Sequence, residues 1–209
     1  MRKKGILFDM DGTLINTYEN FDYSLIFKDL NENQKKLLLD ILNNHIHSFA
    51  QMEKKVRLEC KNKKEGEELI QKIHQCLCMH YKNADLKKDA LKFLHYVKDK
   101  GYALCLCTNN ATDITQYILE EKHMENLFSH VITSQHVARS KPDPQMYEEA
   151  LKAIQLEKEE CIVFEDSDDG IQAARNAGLD VIGICKEETP SLTMCIQDYS
   201  DPRLYKEFL

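Results

Sequence analysis

The chain has no apolar run long enough to cross a bilayer, and it has no basic stripe. The first absence argues against a membrane-spanning protein, because a transmembrane helix needs roughly 20 apolar residues. The second absence, together with a formal net charge of −7, argues against nucleic acid as a partner. The basic start at residues 1–4 leads into an apolar run that stops at Asp9, too early for a signal peptide. We therefore expect no membrane contact and a cytoplasmic location.

A Cys-x-x-Cys pair is also missing from the eight cysteines, so a structural zinc site has little support. Four cysteines lie in apolar segments that have the pattern of strands: Cys105, Cys107, Cys161 and Cys185. Without an export signal, we interpret these four as reduced core residues and not as parts of a disulfide framework.

The composition that is present, 43% hydrophobic and 30% charged, is that of an ordinary globular protein. Its most informative stretch is residues 6–14, where an apolar run typical of a buried strand ends in Asp9 and Asp11. Carboxylates two residues apart on extended backbone point to the same side, and Gly12 then permits a sharp turn. Because two such acids repel each other, they need a bound cation or a shared proton.

Residues 16–85 show helical spacing without a convincing strand, and their charges balance. Two apolar stripes carry the pattern: Leu38, Leu42, Ile46 and Phe49, then Leu69, Ile73, Cys76 or Leu77, and His80. From residue 86 onward, helix and strand patterns alternate. Strands are predicted at 103–107, 131–133, 161–164 and 181–184, and helices at 86–97, 112–122, 170–176 and, less clearly, 202–208. Gly101 is expected to end the first of these helices, and Asn110 or Thr112 to cap the second.

This alternation predicts an α/β fold, a Rossmann-like parallel sheet with helices on both faces. The core would comprise residues 1–15 and 86–209, and residues 16–85 would form a smaller helical domain inserted into it. Polar residues follow three of the predicted strands: Asp9 and Asp11, Thr108 and Asn109, and Glu165 and Asp166. Because ligands of such sheets bind beyond the carboxyl ends of the strands, these residues should converge on one site.

The segment Asp9-Met10-Asp11-Gly12-Thr13-Leu14 resembles the first signature of the haloacid dehalogenase-like hydrolase superfamily. Three further segments resemble its other motifs in the same order: Thr108, then Ser140-Lys141-Pro142-Asp143, then residues 164–171 around Glu165 and Asp166. The resemblance implies that Asp9 is the nucleophile, that Asp11 is the general acid and base, and that Thr108 binds phosphate. It also implies that the insert is a helical cap.

The chemistry of phosphoryl transfer gives the same residues consistent tasks. Mg²⁺ prefers oxygen ligands, which Asp9, the Asp11 carbonyl and Asp166 can supply. Lys141 can stabilise the phosphate and the aspartyl phosphate, and Thr108 and Asn109 can donate hydrogen bonds to phosphate. Many relatives carry a second acid four residues after the metal-binding aspartate, where this chain has Gly170. Glu165 is present instead, as in the β-phosphoglucomutase-like branch, and is expected to be a metal ligand or an acid just behind the ligands.

The sequence thus predicts a Mg²⁺-dependent phosphatase that hydrolyses a small phosphorylated metabolite through an aspartyl phosphate. Sugar phosphates are favoured over nucleotides and phosphoglycolate, and the protein is expected to be a monomer or weak dimer. The alternatives are a β-phosphoglucomutase-type phosphomutase and, more distantly, a phosphoaspartate signalling module. The mutase is disfavoured because the β-phosphoglucomutases that this chain resembles carry a histidine ten residues after the acid/base, where this chain has Phe21. Asn16 likewise stands where an aspartate is common in relatives.

Several other polar groups, within the insert and outside it, are assigned no role in catalysis. His45 and His47 have weak ligand spacing, and Asp168 and Asp169 are expected to be solvated. A run of cations, interpreted mainly as a solvated face, comprises Lys54, Lys55, Arg57, Lys61, Lys63 and Lys64. Hinge motion of the insert is expected about residues 15–17 and 83–86.

Overall fold

The computed structural model describes residues 3–17, 24–28, 30–43, 49–60, 62–187 and 190–208. Its strands are β1 (Gly5–Phe8), β2 (Ala103–Cys107), β3 (His130–Ile132), β4 (Cys161–Glu165), β5 (Asp180–Ile184) and β6 (Met194–Ile196). The helices of the insert are α1 (Ser24–Phe27), α2 (Glu32–Asn43), α3 (Phe49–Glu59) and α4 (Lys63–Asn83). Those of the body are α5 (Ala90–Asp99), α6 (Thr112–Glu121), α7 (Gln145–Ile154), α8 (Asp168–Asn176) and α9 (Pro202–Glu207).

The strands form one parallel sheet in the order β3-β2-β1-β4-β5-β6. This confirms the predicted α/β fold. The chain builds β2 and β3 on one side of β1 and then crosses to build β4, β5 and β6 on the other. The strand order therefore reverses at β1, and ligands of such sheets bind beyond the carboxyl ends of the strands at this reversal.

The sheet is buried on both faces, so its central strands read as continuous apolar runs. In β1, Ile6 and Phe8 join a cluster with α5, α6 and α9, whereas Leu7 joins a cluster with α7 and α8 on the opposite face. Phe8 and Phe164, which are register partners on β1 and β4, stack with ring centroids 4.9 Å apart. The layers fix the strand ends rigidly, which is what a site built on those ends requires.

The insert joins the body through two chain segments that pair with each other. Ile15 and Leu86 form an antiparallel bridge, and the Asn16 N–H donates to the Asp85 carbonyl at 2.8 Å. The predicted stripe from Leu38 to Phe49 spans two helices, α2 and α3, and not one. The hinge and the division into domains stay predictions.

Two details of helix and strand ends differ from the sequence prediction. The N-cap of α6 is Ala111, without a side-chain cap bond, so the expectation of Asn110 or Thr112 is wrong. The Asn110 amide instead bonds to other side chains in the cleft. Strand β6 was not predicted, because Met194-Cys195-Ile196 contains one β-branched residue, whereas the equally short edge strand β3 contains Val131 and Ile132. Gly101 does follow the end of α5, with φ +86°, and Gly12 turns the chain after Asp11 with φ +81°.

The cysteine prediction holds for three of the four residues. Cys105, Cys107 and Cys161 are buried and unpaired, but Cys185 forms a disulfide with Cys195, their Cα atoms 5.8 Å apart. The expectation of a reduced Cys185 is therefore wrong, because the unpredicted strand β6 brings Cys195 beside the end of β5.

Within the described parts of the chain, no helix is both long enough and apolar enough to cross a membrane. Several residues named from the sequence lie outside the described residues: Phe21, His45, Ile46, His47 and Lys61.

Candidate active site

The cleft is built where β2, β1 and β4 end side by side. Asp9 directly follows β1, and its N–H donates to the Phe164 carbonyl of β4 at 3.0 Å. Thr108 follows β2, and Glu165 is the last residue of β4. The parallel register therefore delivers polar groups from three different stretches of chain to one edge of the sheet.

Lys141 reaches this edge from the loop before α7 and is buried there. Its Nζ donates to Asp9 Oδ1 at 2.7 Å, to Glu165 Oε1 at 2.6 Å and to the Cys107 carbonyl at 2.9 Å. Burial acts to lower the pKa of Lys141, but the carboxylates of Asp9 and Glu165 outweigh it and raise the pKa above its usual value. The lysine is thus held as a cation against the proposed nucleophile.

Glu165 is fully buried, and both of its oxygens accept hydrogen bonds from the protein. Besides Lys141, Oε1 accepts from the Tyr147 hydroxyl at 2.9 Å. Oε2 accepts from the Asp166 N–H at 3.0 Å, and from the N–H and hydroxyl of Ser167 at 3.2 and 3.1 Å. With five such donors, this carboxylate is better suited to fix Lys141 and the start of α8 than to bind a metal directly.

Gly170 explains why the acid expected four residues after Asp166 is absent. A Cβ at this position would lie 1.8 Å from Glu165 Oε1, so the Glu165 carboxylate occupies the space of a side chain. A side chain at position 170 is therefore incompatible with the Glu165 carboxylate in this position. Asp168 and Asp169 are exposed in the first turn of α8.

Three carboxylates are close enough to share a cation. Asp9, Glu165 and Asp166 each offer an oxygen within 4.8 Å of the other two. Burial, and next the charge of Glu165, raise the pKa of Asp166 to about 7, and the same two causes raise the pKa of Asp9 well above its usual range. The Thr13 hydroxyl donates to Asp166 Oδ1 at 3.1 Å. Crowded oxygen donors of this kind fit Mg²⁺, with Asp9 and Asp166 as the more accessible pair.

Asp11 lies apart from the lysine and is held from the insert. The Tyr81 hydroxyl, in the last turn of α4, donates to Asp11 Oδ1 at 2.8 Å. The Asn110 amide donates to Asp11 Oδ2 at 2.7 Å. Burial raises the pKa of Asp11, and hydrogen bonds from Thr17, Tyr81 and Asn110 oppose that rise.

Thr108 and Asn109 lie beside this cluster. The Thr108 side chain is fully buried, and its hydroxyl oxygen accepts from the Asn110 N–H at 3.1 Å. The Asn109 side-chain oxygen is buried and has no hydrogen-bond partner among the described residues. Both follow Cys107, whose carbonyl holds Lys141.

Among the residues that contact the predicted ones, sequence reasoning missed Thr13, Tyr81, Asn110 and Tyr147. Thr13 lies within a predicted motif and Asn110 directly follows one, so their positions in the sequence could have indicated that they are near the site. Tyr81 and Tyr147 lie on helices, where a buried tyrosine has the pattern of a core residue, and only the fold shows what their hydroxyls reach.

A family model described as haloacid dehalogenase-like hydrolase matches residues 6–184. The phosphoglycolate phosphatase of Colwellia psychrerythraea is 29% identical over 199 residues, covering 87% of this chain and 84% of that one. The phosphorylated carbohydrates phosphatase of Thermotoga maritima is 26% identical over 187 residues, covering 86% and 83%.

Solved structures share the fold over nearly the whole chain. The YfnB structure from Bacillus subtilis, described as bound to magnesium and as revealing interdomain movement, has a TM-score of 0.76 at 20% identity, covering 100% of this chain and 99% of that one. The CbbY structure from Rhodobacter sphaeroides in complex with phosphate has a TM-score of 0.72 at 20% identity, covering 95% and 96%.

Proposed function

Because this chain belongs to the haloacid dehalogenase-like hydrolase family, we propose that it is a Mg²⁺-dependent phosphatase acting on a small phosphorylated metabolite. The observation that carries the proposal is the contact between Asp9 and Lys141. Asp9 directly follows the buried strand β1, and Asp11 lies two residues after it. A carboxylate paired with a fixed cation, followed by a second carboxyl group, suits nucleophilic attack assisted by acid–base catalysis.

Each residue then has a defined task. A carboxylate oxygen of Asp9 attacks phosphorus, and the bond from phosphorus to the ester oxygen breaks as Asp11 gives that oxygen its proton. Water next attacks the phosphorus of the aspartyl phosphate and gives a proton to Asp11, which releases inorganic phosphate and restores Asp9. Lys141 holds Asp9 in place and offsets the negative charge that develops on the phosphoryl oxygens.

Mg²⁺ would be held by Asp9, Asp166 and the Asp11 carbonyl, with Glu165 behind them fixing Lys141 and the first turn of α8. The ion would offset the repulsion between the Asp9 carboxylate and the phosphate oxygens. Thr108 and Asn109 are assigned to the phosphate group, because they directly follow β2, the strand next to β1, and the Thr108 hydroxyl and the Asn109 amide can donate hydrogen bonds to phosphate oxygens.

We assign residues 16–85 to a cap that closes over the leaving group, and residues 1–15 and 86–209 to the catalytic core. Sugar phosphates are the favoured substrates. The relative named for phosphorylated carbohydrates supports this class, and the relative named for phosphoglycolate supports phosphoglycolate as the next candidate.

A panel of phosphate esters tests this proposal. Glucose 6-phosphate, β-glucose 1-phosphate, phosphoglycolate, a nucleoside monophosphate and 4-nitrophenyl phosphate are each incubated with the protein and Mg²⁺, and phosphate release is measured. We expect release that EDTA abolishes and Mg²⁺ restores. No release from any ester above that of an Asp9→Asn control would overturn the proposal.

A phosphomutase is the second candidate, because a mutase must control when Asp11 acts, and Tyr81 of the insert does contact Asp11. Incubation with β-glucose 1-phosphate, Mg²⁺ and a bisphosphate primer separates the two. The phosphatase predicts that inorganic phosphate accumulates faster than glucose 6-phosphate, and the mutase predicts the reverse.

A further inference from the structure

The carboxyl group of Asp11 accepts hydrogen bonds from two buried side chains that lie far apart in the sequence, Tyr81 and Asn110. Tyr81 donates its hydroxyl proton to Oδ1 at 2.8 Å, and Asn110 donates to Oδ2 at 2.7 Å. The second hydrogen of the Asn110 amide points to the Tyr81 hydroxyl oxygen, 3.0 Å away. All three donor hydrogens are used, and each restrains another member of the set.

This arrangement restrains the carboxyl group without blocking it. A carboxylate has about four lone-pair sites, and the two donors use one on each oxygen. Even with the Thr17 hydroxyl as a third donor, Asp11 keeps at least one site for exchanging a proton with a substrate or a water molecule. Both donors are buried, Tyr81 at 4% and Asn110 at 8% exposure, so water competes little for these bonds.

We propose that Tyr81 and Asn110 are positioning residues that orient the Asp11 carboxyl group for proton transfer to the leaving-group oxygen. The inference rests on the proposed function and deepens it. Asn110 fixes one oxygen from the loop after β2, and Tyr81 fixes the other from the last turn of α4. Because α4 belongs to the insert, proton transfer in the core depends on where the insert lies.

The leaving group gives a test that general damage to the protein would not imitate. An alkyl phosphate must expel an alkoxide, so it needs the proton of Asp11, whereas 4-nitrophenyl phosphate expels a stable phenolate and barely needs it. The ratio kcat/KM reports the steps up to the first irreversible one, here the loss of the leaving group. A misplaced Asp11 should therefore lower kcat/KM for the alkyl ester selectively.

The experiment compares Tyr81→Phe with the wild-type protein on 4-nitrophenyl phosphate and on the alkyl ester that the panel shows to be best. We expect kcat/KM to fall roughly 10- to 100-fold for the alkyl ester and less than about three-fold for the aryl ester. Tyr96→Phe is the matched control, because its hydroxyl contacts only the Phe208 carbonyl on the described chain, at 3.5 Å. It should change neither value.

Asn110→Ala provides a second variant that keeps Tyr81 in the core. It should show the same selective loss, and the double variant should lose less than the product of the single losses, because both residues act through Asp11. An equal loss on both esters, or no loss on either, would overturn the inference while leaving the phosphatase intact. Wild-type protein without Asp9-dependent hydrolysis would instead overturn the proposed function.

Discussion

Lys141 is the residue on which the charge balance of the cleft depends. It is buried between Asp9 and Glu165, and its Nζ lies 2.7 Å from Asp9 Oδ1 and 2.6 Å from Glu165 Oε1. A buried pair of this kind is costly to break from one side, by roughly 3–5 kcal/mol, because the remaining charge has no partner. Changes that keep an acceptor at Asp9 should therefore preserve the fold.

Asp9→Asn separates chemistry from folding. The amide keeps an oxygen for Lys141 but cannot form an aspartyl phosphate, so we expect phosphate release to fall roughly 10⁴-fold or more with little change in Tm. Initial rates and thermal melts measure the two effects. Asp169→Asn, on the exposed first turn of α8, is the control. Retained activity in folded Asp9→Asn protein would refute Asp9 as the nucleophile.

Gly170→Ala tests whether Glu165 occupies the space of the missing side chain. The added Cβ would meet Glu165 Oε1 at 1.8 Å, so the carboxylate must move away from Lys141 and Tyr147. We expect a loss of about 1–3 kcal/mol in the free energy of unfolding, as for other overpacked sites. Denaturant titration measures it.

Gly66→Ala is the matched control for that change, because Gly66 also lies inside a helix. Its new Cβ would come no nearer than 3.2 Å to another side chain, that of Cys60. Alanine there should cost less than at Gly170, because the contact is much longer than 1.8 Å and a gain of up to about 1 kcal/mol in helix propensity offsets the crowding. Equal stability of the two variants would show that Glu165 can move without cost.

At the scale of elements, the sequence predicts best what repeats over many residues. Strands β1, β2 and β4 have continuous apolar runs, so their ends, and with them Asp9, Thr108 and Glu165, could be placed from the pattern. Strand β6 could not, because Met194-Cys195-Ile196 has a single β-branched residue and so carries little strand pattern of its own. The contact of Tyr81 with Asp11 was equally beyond reach, since 70 positions separate them and only the packing of α4 joins them.

Helix α4 is tied to the body by Lys122 of the turn that follows α6. Its Nζ donates to the Lys82 carbonyl at 3.0 Å and to the Ala84 carbonyl at 2.5 Å, where the last turn of α4 leaves carbonyls unpaired. Lys122→Met keeps the apolar stem and removes these donors. We expect faster amide hydrogen exchange in the last turn of α4 and a loss of about 0.5–1.5 kcal/mol in stability.

Lys152→Met is the control for this variant, because Lys152 is an exposed lysine paired with Glu149 on α7. It should leave exchange in α4 unchanged. If Lys122→Met also left that exchange unchanged, Lys122 would not fasten the insert to the body.

At the scale of the whole molecule, the crowded carboxylates make stability depend on pH and on Mg²⁺. The pKa of Asp166 is raised to about 7 in the folded protein, from an ordinary value of 3.8. Its proton therefore favours folding, and this contribution is complete below the ordinary value and is lost as the pH rises through about 7. Asp9 and Asp11, whose pKa values are also raised, act in the same direction.

Metal-free protein should consequently lose stability between about pH 4 and pH 7, and Mg²⁺ should restore more of it at the higher pH, because the ion binds deprotonated carboxylates. Thermal melts with EDTA or Mg²⁺ across this range measure the effect. Asp166→Asn should weaken both the pH dependence and the Mg²⁺ effect. A Mg²⁺-induced shift that is the same at both ends of the range would contradict the prediction.

The pairing of the two connecting segments also has a consequence for how such a chain can diversify. Asn16 and Asp85 are joined by a hydrogen bond of 2.8 Å, so the insert leaves and re-enters the body at almost one point. We therefore expect a segment of different length between these positions to leave the order of the strands unchanged, because the two junctions already lie together. Asp9, Lys141 and Asp166 lie outside the replaced segment. Only side chains from within it, such as Tyr81, would change. Exchange of residues 16–85 would then alter the side chains that reach Asp11 while leaving Asp9, Lys141 and Asp166 in place.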